Sequence, residues 1–261
     1  MNSSAPYGIL LIGHGTSHPR GRQELIDLAE DLAGLFEPQP VAFAFLGGSG
    51  PCIREGLSRL ADQCRSVVAA PVLLNAASHA RVDIPRQMAA ARELFPHLHL
   101  RTAQPIGTGP EVLEALRDRF RVLHGTDRGD GRTGVVVLSH GSSDPGALGA
   151  AAEMAWELGR TVAAERGDAA FWDGPVPRLE TVVADQIDNG MTRIRILPHF
   201  LFEGVLMERI RDRVAALELC FPGVEIALDG PYGNSPEVRR WLAARIHSAA
   251  VGLAPETGVR L

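Results

Sequence analysis

Gly8-Ile9-Leu10-Leu11-Ile12-Gly13-His14-Gly15-Thr16-Ser17-His18-Pro19 stands near the start of the chain. It returns as Gly134-Val135-Val136-Val137-Leu138-Ser139-His140-Gly141-Ser142-Ser143-Asp144-Pro145. In both copies a short apolar run leads into His-Gly, a hydroxyl residue, Ser and, two positions on, Pro. A second pair keeps the same spacing: Pro105-Ile106-Gly107-Thr108-Gly109-Pro110-Glu111-Val112 and Pro231-Tyr232-Gly233-Asn234-Ser235-Pro236-Glu237-Val238. From 14 to 140 and from 105 to 231 the displacement is 126 positions each time. Two motifs at opposite ends of a unit, shifted equally, indicate a duplicated domain. The expected domains are 1–124 and 134–261, joined by the Gly- and Asp-rich stretch 125–133, which has no hydrophobic period.

The apolar runs at 8–12 and 134–138 read as strands buried on both faces, as in a parallel sheet. Leu25, Leu28, Ala29, Leu32 and Phe36 then follow at helical spacing and share one face. The alternation continues with strands at 41–46, 66–74 and 98–103 and helices at 51–63, 83–95 and 111–123. The second half repeats it, with strands at 169–172, 193–197 and 224–228 and helices at 178–189, 207–218 and 237–249. Alternating β and α gives an α/β class: two duplicated domains, each a parallel sheet with helices on both faces. Ligands of such sheets bind beyond the carboxyl ends of the strands, where both His-Gly loops fall.

Composition excludes several classes. The 261 residues are 45% hydrophobic and 22% charged, as in ordinary globular proteins. No apolar run approaches the roughly 20 residues of a membrane span, and the first residues lack the basic region and cleavage site of a signal peptide. A cytoplasmic protein without a membrane partner is expected. The net charge of −5, with no basic stripe, argues against nucleic acid. Cys52, Cys64 and Cys220 are odd in number and form no C-x-x-C pair, which argues against a disulfide framework, a zinc site or an iron–sulfur cluster. All 26 basic residues are arginine. Base composition of the genome accounts for that, although arginine's planar fork also suits a polycarboxylate ligand.

His14 and His79 are the reactive candidates. His79 lies in Asn75-Ala76-Ala77-Ser78-His79-Ala80-Arg81-Val82-Asp83-Ile84-Pro85, after the third strand and beyond the same sheet edge as His14. Two imidazoles converging there can bind a divalent transition metal, and a neutral one can accept a proton near physiological pH. The alternative is a turn capped by its hydroxyls, with unrelated polar residues on two loops. The second half differs. Aligning Pro71 with Pro198 sets Leu206 opposite His79, and His199 stands seven positions earlier within Pro198-His199-Phe200-Leu201-Phe202-Glu203-Gly204-Val205. Its apolar residues either floor a cleft or pack as core. Gly47-Gly48-Ser49-Gly50-Pro51 is not a nucleophile elbow, and neither a P-loop nor a dinucleotide fingerprint is present. His97 and His99 read as exposed, and His18, His124 and His247 have no evident partner in the sequence.

These residues resemble a sirohydrochlorin chelatase of the CbiX/SirB family, class II chelatase-like, in its fused two-domain form. The resemblance rests on Leu11-Ile12-Gly13-His14-Gly15-Thr16, on Pro71 to Pro85 with its His79-x-x-x-Asp83-Ile84-Pro85, and on the Pro198–Leu206 segment. It covers almost the whole chain. It implies insertion of cobalt or iron, or nickel in some members, into sirohydrochlorin on the way to cobalamin, sirohaem or related cofactors. It also implies that His14 and His79 handle metal and protons. No tightly bound cofactor is implied; Co2+, Fe2+ or Ni2+ is a substrate beside the tetrapyrrole. Gly15, Thr16, Ser17, Arg81, Ser142 and Ser143 are then expected to hold the macrocycle's carboxylates, with Arg20 and Arg22 as further anchors.

One departure stands out. Where the family often carries Phe-Leu-Glu, this chain has Phe45-Leu46-Gly47. Asp173, at the same 126-residue offset, and Glu203 are candidate substitutes, with His140 and His199 as further auxiliaries. Either the second half supplies the acid, or two histidines suffice, or activity is impaired. The halves are expected to act as jaws on a single planar ligand in a cleft between them, in a monomer or homodimer. A non-catalytic tetrapyrrole or metal carrier on the same fold is the rival reading.

Overall fold

The computed structural model describes residues 7–16, 18–48, 50–74, 82–125, 131–174 and 177–253. The first repeat runs β1 (Gly8–Gly13), α1 (Pro19–Phe36), β2 (Val41–Phe45), α2 (Ile53–Ala61), β3 (Ser66–Pro71), α3 (Ile84–Leu94), β4 (His99–Thr102) and α4 (Pro110–His124). The second runs β5 (Thr133–Ser139), α5 (Pro145–Thr161), β6 (Arg166–Phe171), α6 (Leu179–Asp188), β7 (Arg193–Pro198), α7 (Val205–Cys220), β8 (Glu225–Leu228) and α8 (Pro236–Ala250). Both sheets are parallel, in the orders β2-β1-β3-β4 and β6-β5-β7-β8. The α/β reading therefore holds in each half.

The register confirms the internal alignment. Ile12 pairs with Pro71, and Leu138, 126 positions after Ile12, pairs with Pro198. The two prolines are thus equivalent despite the single inserted residue. On one face of the first sheet Leu10, Ile12, Val67 and Ala69 pack with α2 and α3 through Leu57, Leu60, Ile84 and Met88. On one face of the second, Val136, Leu138, Ile194 and Ile196 pack with α6 and α7 through Val183, Met207, Ile210 and Val214. The five helical positions picked out in α1 are all buried. Each large one contributes roughly 1.5–3 kcal/mol by leaving water.

The compact units differ from the linear halves that the repeats suggest. Unit 1 is Met1–Ile106 with Gly233–Leu261, and unit 2 is Gly107–Tyr232. In unit 2 the buried face of α4 (Val112, Ala115, Leu116, Phe120) packs beside β7 and α5. In unit 1 the corresponding face of α8 (Val238, Trp241, Leu242, Ile246) packs beside β3, β4 and α1. The last helix of each sequence repeat thus completes the other repeat's sheet. Two homologous arginines hold these helices. Arg245 donates to the carbonyls of Pro105 and Ile106 at 3.3 and 2.8 Å. Arg119 donates to Asp229 Oδ2 at 2.6 Å, to Pro198 O at 3.3 Å and to Gly230 O.

Three boundaries differ from the sequence reading for local reasons. Strand β6 starts three residues earlier than expected because Arg166 and Asp168, polar in sequence, satisfy each other at 2.6 Å on this edge strand. Helix α2 is shorter than 51–63; Cys52 and Glu55 close a capping box at its start. Part of the expected linker, 126–130, lies outside the described residues, and its last residue, Thr133, already belongs to β5. No helix among the described residues is long and apolar enough to cross a membrane.

Candidate active site

In unit 1, β1 delivers His14 to the carboxyl edge of the sheet, with its side chain exposed. The chain turns at once. Gly15 has φ +101°, and a Cβ placed there would come 2.0 Å from the carbonyl oxygen of Gly47, so only glycine fits. The loop after β2 is tied down by Leu46 N–H to Gly13 O at 3.0 Å. On the other side of β1 the chain leaving β3 keeps pairing: Val72 N–H donates to Ile12 O at 2.9 Å, and Ile106 N–H donates to Leu73 O at 3.0 Å. The described chain thus runs out of β3 to Leu74 beside the end of β1.

His14 Nδ1 lies 3.2 Å from Gly15 O. A carbonyl only accepts, so Nδ1 is the donor in this contact. His79, Ser17 and Arg81 lie outside the described residues, so the histidine pair stays an expectation from sequence. Among the described residues no group of three or more His, Cys, Asp or Glu side chains could hold a metal ion.

The loop hydroxyls bond within the turn. Thr16 Oγ1 accepts His18 N–H at 3.0 Å, and Ser142 Oγ accepts Asp144 N–H at 3.0 Å. Both hydroxyls brace the turn before the helix, because α1 and α5 begin only at Pro19 and Pro145. At α5, Asp144 Oδ1 accepts Gly146 N–H at 2.9 Å, so that helix start already holds its own carboxylate. Ser143 is exposed; Arg20 and Arg22 are exposed on α1, with Arg20 3.8 Å from Glu24.

Unit 2 repeats the same turn with different side chains. Gly141 has φ +104°, and a Cβ there would lie 1.9 Å from Asp173 O. Gly47 and Asp173 therefore occupy one structural position in the two units. A Cβ added at Gly47 meets nothing within 4 Å, so packing does not force the loss of a carboxylate there. His140 and Asp173 are both exposed. Glu203, the other candidate acid, forms an ion pair with Arg211 at 2.6 Å.

His199 is a correction. It was an auxiliary candidate, yet only 3% of it is exposed, at the position that Val72 holds in unit 1. Its Nδ1 shares a 2.9 Å hydrogen bond with the Tyr232 hydroxyl, and Arg119 lies 4.4 Å from the Tyr232 ring centroid. Burial and the Arg119 charge pull the His199 pKa down to about 3, and burial pushes the Tyr232 hydroxyl up. This imidazole is a neutral part of the core. Phe200 and Leu206 pack against the same unit's apolar cluster, whereas Val205 is exposed. The sequence reading passed over the partnership of His199, Tyr232 and Arg119. Its signal was the paired change of Val72 to His199 and Ile106 to Tyr232 between the copies.

With both loops in place, the comparison with known proteins is direct. The CbiX family model matches residues 8–123 and 134–249, one copy per repeat. The chain belongs to the CbiX family. A sirohydrochlorin cobaltochelatase from Priestia megaterium is 28% identical over 94% of this chain and 80% of its own length. A sirohydrochlorin ferrochelatase from Bacillus subtilis (strain 168) is also 28% identical, over 93% of this chain and 91% of its own. The structure of SirB from Bacillus subtilis with Fe3+ superposes with a TM-score of 0.81 and 26% identity, covering 94% of this chain and 95% of that one.

Proposed function

We propose that this CbiX-family chain is a sirohydrochlorin chelatase, a lyase that inserts cobalt or iron into the macrocycle in cobalamin or sirohaem biosynthesis. The reading places it in the cytoplasm. The observation that carries it is the exposed His14 at the carboxyl edge of β1, in a chain whose near full-length relatives are chelatases.

Insertion exchanges two pyrrole N–H protons for one divalent cation, which must also shed water ligands as ring nitrogens replace them. The His14 imidazole is assigned to lend a nitrogen donor to the incoming cation or to accept a ring proton. His79, from the loop after β3, is assigned the complementary task, so that one imidazole escorts metal while the other takes protons. Gly15 and Thr16 bring the macrocycle close to the backbone, and Arg81 is assigned to its carboxylates. The metal is a substrate in this scheme, and no resident cofactor is needed.

Anaerobic mixing of Co2+ or Fe2+ with sirohydrochlorin, followed by absorbance, tests the reading. The expected result is insertion well above the uncatalysed rate with at least one metal. A tight tetrapyrrole complex without turnover would replace the enzyme by the carrier.

A further inference from the structure

At the amino-terminal end of the second sheet, unit 2 carries charge where unit 1 has core. Val68 pairs with Ile9 and is fully buried; at the matching point of unit 2, Arg195 pairs with Val135 and is only 2% exposed. Two residues earlier, the register pair Ser66 and His99 becomes Arg193 and Glu225. Ile194 and Ile196 belong to the cluster with α6 and α7. Strand alternation therefore turns Arg195 to the other face, which α4 covers with Val112, Ala115, Leu116 and Phe120.

Arg195 Nη2 donates to Glu225 Oε1 at 2.6 Å, but Nε and Nη1 are buried without a partner among the described residues. Glu225 does not balance the charge either. Its carboxylate is 58% exposed, and its other oxygen lies 3.3 Å from Arg193 Nε, so two guanidiniums share one acid. Glu165, beside Thr133 at the same end of the sheet, is exposed, and its Oε2 accepts Thr133 N–H at 2.7 Å. A guanidinium cannot shed its proton, so a buried one needs counter-charge and acceptors for its N–H groups.

We propose that Arg195, with Arg193 beside it, holds a halide ion such as chloride inside unit 2, seated against the unmet N–H groups of Arg195. A monatomic anion accepts N–H groups from any direction and brings no polar atom of its own to leave unmet. A carboxylate or phosphate carries further oxygens, each needing a donor that the apolar face under α4 lacks. The ion balances the cluster, with two guanidiniums against Glu225 and the halide. The site lies at the end of the strands opposite the His140 loop, so it serves the stability of unit 2 and is independent of metal insertion.

The test uses the full-length chain, with chloride exchanged for gluconate at constant ionic strength and amide hydrogen exchange of β7 as the readout. Raising chloride from about 1 to about 100 mM should increase β7 protection roughly fivefold or more, as binding to the folded state alone requires. Arg195→Val, which installs the residue of unit 1, should remove that dependence. Glu225→Gln should lower protection at low chloride and regain it as chloride rises, because the ion takes over the lost counter-charge. A plain ion pair would show the same loss at every chloride concentration, which would overturn the proposal. Crystals soaked in bromide should give an anomalous peak within hydrogen-bonding reach of Arg195. The proposal is also overturned if wild-type protection ignores chloride, or if Arg195→Val responds as wild type does, which would be a general salt effect. A bromide peak without the solution response means binding at crystal concentration only and overturns it too, as does a water molecule at Arg195 in place of bromide.

Discussion

At the end of the third strand the two repeats keep one backbone and exchange its chemistry. Val72 and Ile106 fill the position in unit 1; His199 and Tyr232 fill it in unit 2, with the same main-chain bonds to Ile12 O or Leu138 O and to Leu73 O or Phe200 O. The helix arginines differ in parallel. Arg245 meets the carbonyls of Pro105 and Ile106, whereas Arg119 adds a carboxylate, Asp229, and the face of Tyr232. The difference teaches that duplication freed the second copy to turn a reactive-looking histidine into structure. His14 and its counterpart His140 both stay exposed.

Removing the arginines tests this contrast most severely. Arg119→Ala strips a charged hydrogen-bond partner from a largely buried carboxylate and should lower the stability of unit 2 by about 3 kcal/mol. Arg245→Ala loses its bonds to the Pro105 and Ile106 carbonyls and should cost about 1 kcal/mol in unit 1. Amide hydrogen exchange, which reads the units separately, measures both. Equal losses would break the comparison.

Acid comes next. His199 is neutral when folded, with a pKa near 3 against about 6.5 unfolded. As pH falls below about 6.5 the unfolded chain takes up a proton that the folded one refuses, so stability present above that pH is progressively lost towards pH 3. At pH 4.5 the loss from this group is about 2–3 kcal/mol. Unit 1, with valine at the equivalent position, lacks this component. Chemical denaturation across pH 7 to 4.5 should show it in wild type and not in His199→Val.

That variant carries a smaller expectation of its own. At pH 7, His199→Val removes the imidazole partner of the Tyr232 hydroxyl, which keeps its bond to Arg119, and should cost about 1 kcal/mol; adding Tyr232→Ile, the pair found in unit 1, should return part of it. A double-mutant cycle showing plain additivity would mean that the hydrogen bond contributes nothing as a pair.

Much of the fold was legible because the repeat announced itself. The apolar runs at 8–12 and 134–138 and the spacing from Leu25 to Phe36 gave strands and a helix that the structure keeps. The exchange of α4 and α8 was not legible, since an apolar helix face carries no mark of which sheet it covers. At the site, His14 was readable from its place after a strand. His199 misled because a histidine's letter does not reveal burial. Its partner Tyr232 lies 33 residues on, and its neighbour Arg119 comes from the other repeat.

The central claim is that the copies, alike in backbone, divide the work, with insertion chemistry resting on His14. The direct measurement is the anaerobic rate of Co2+ insertion into sirohydrochlorin by wild type, His14→Ala and His140→Ala, each confirmed folded. Loss of a general base or metal-escorting imidazole predicts a fall of about 10²-fold or more for His14→Ala. For His140→Ala at saturating Co2+ the rate should stay within a few-fold of wild type. Comparable losses from both substitutions, or a full rate in His14→Ala, would contradict the account.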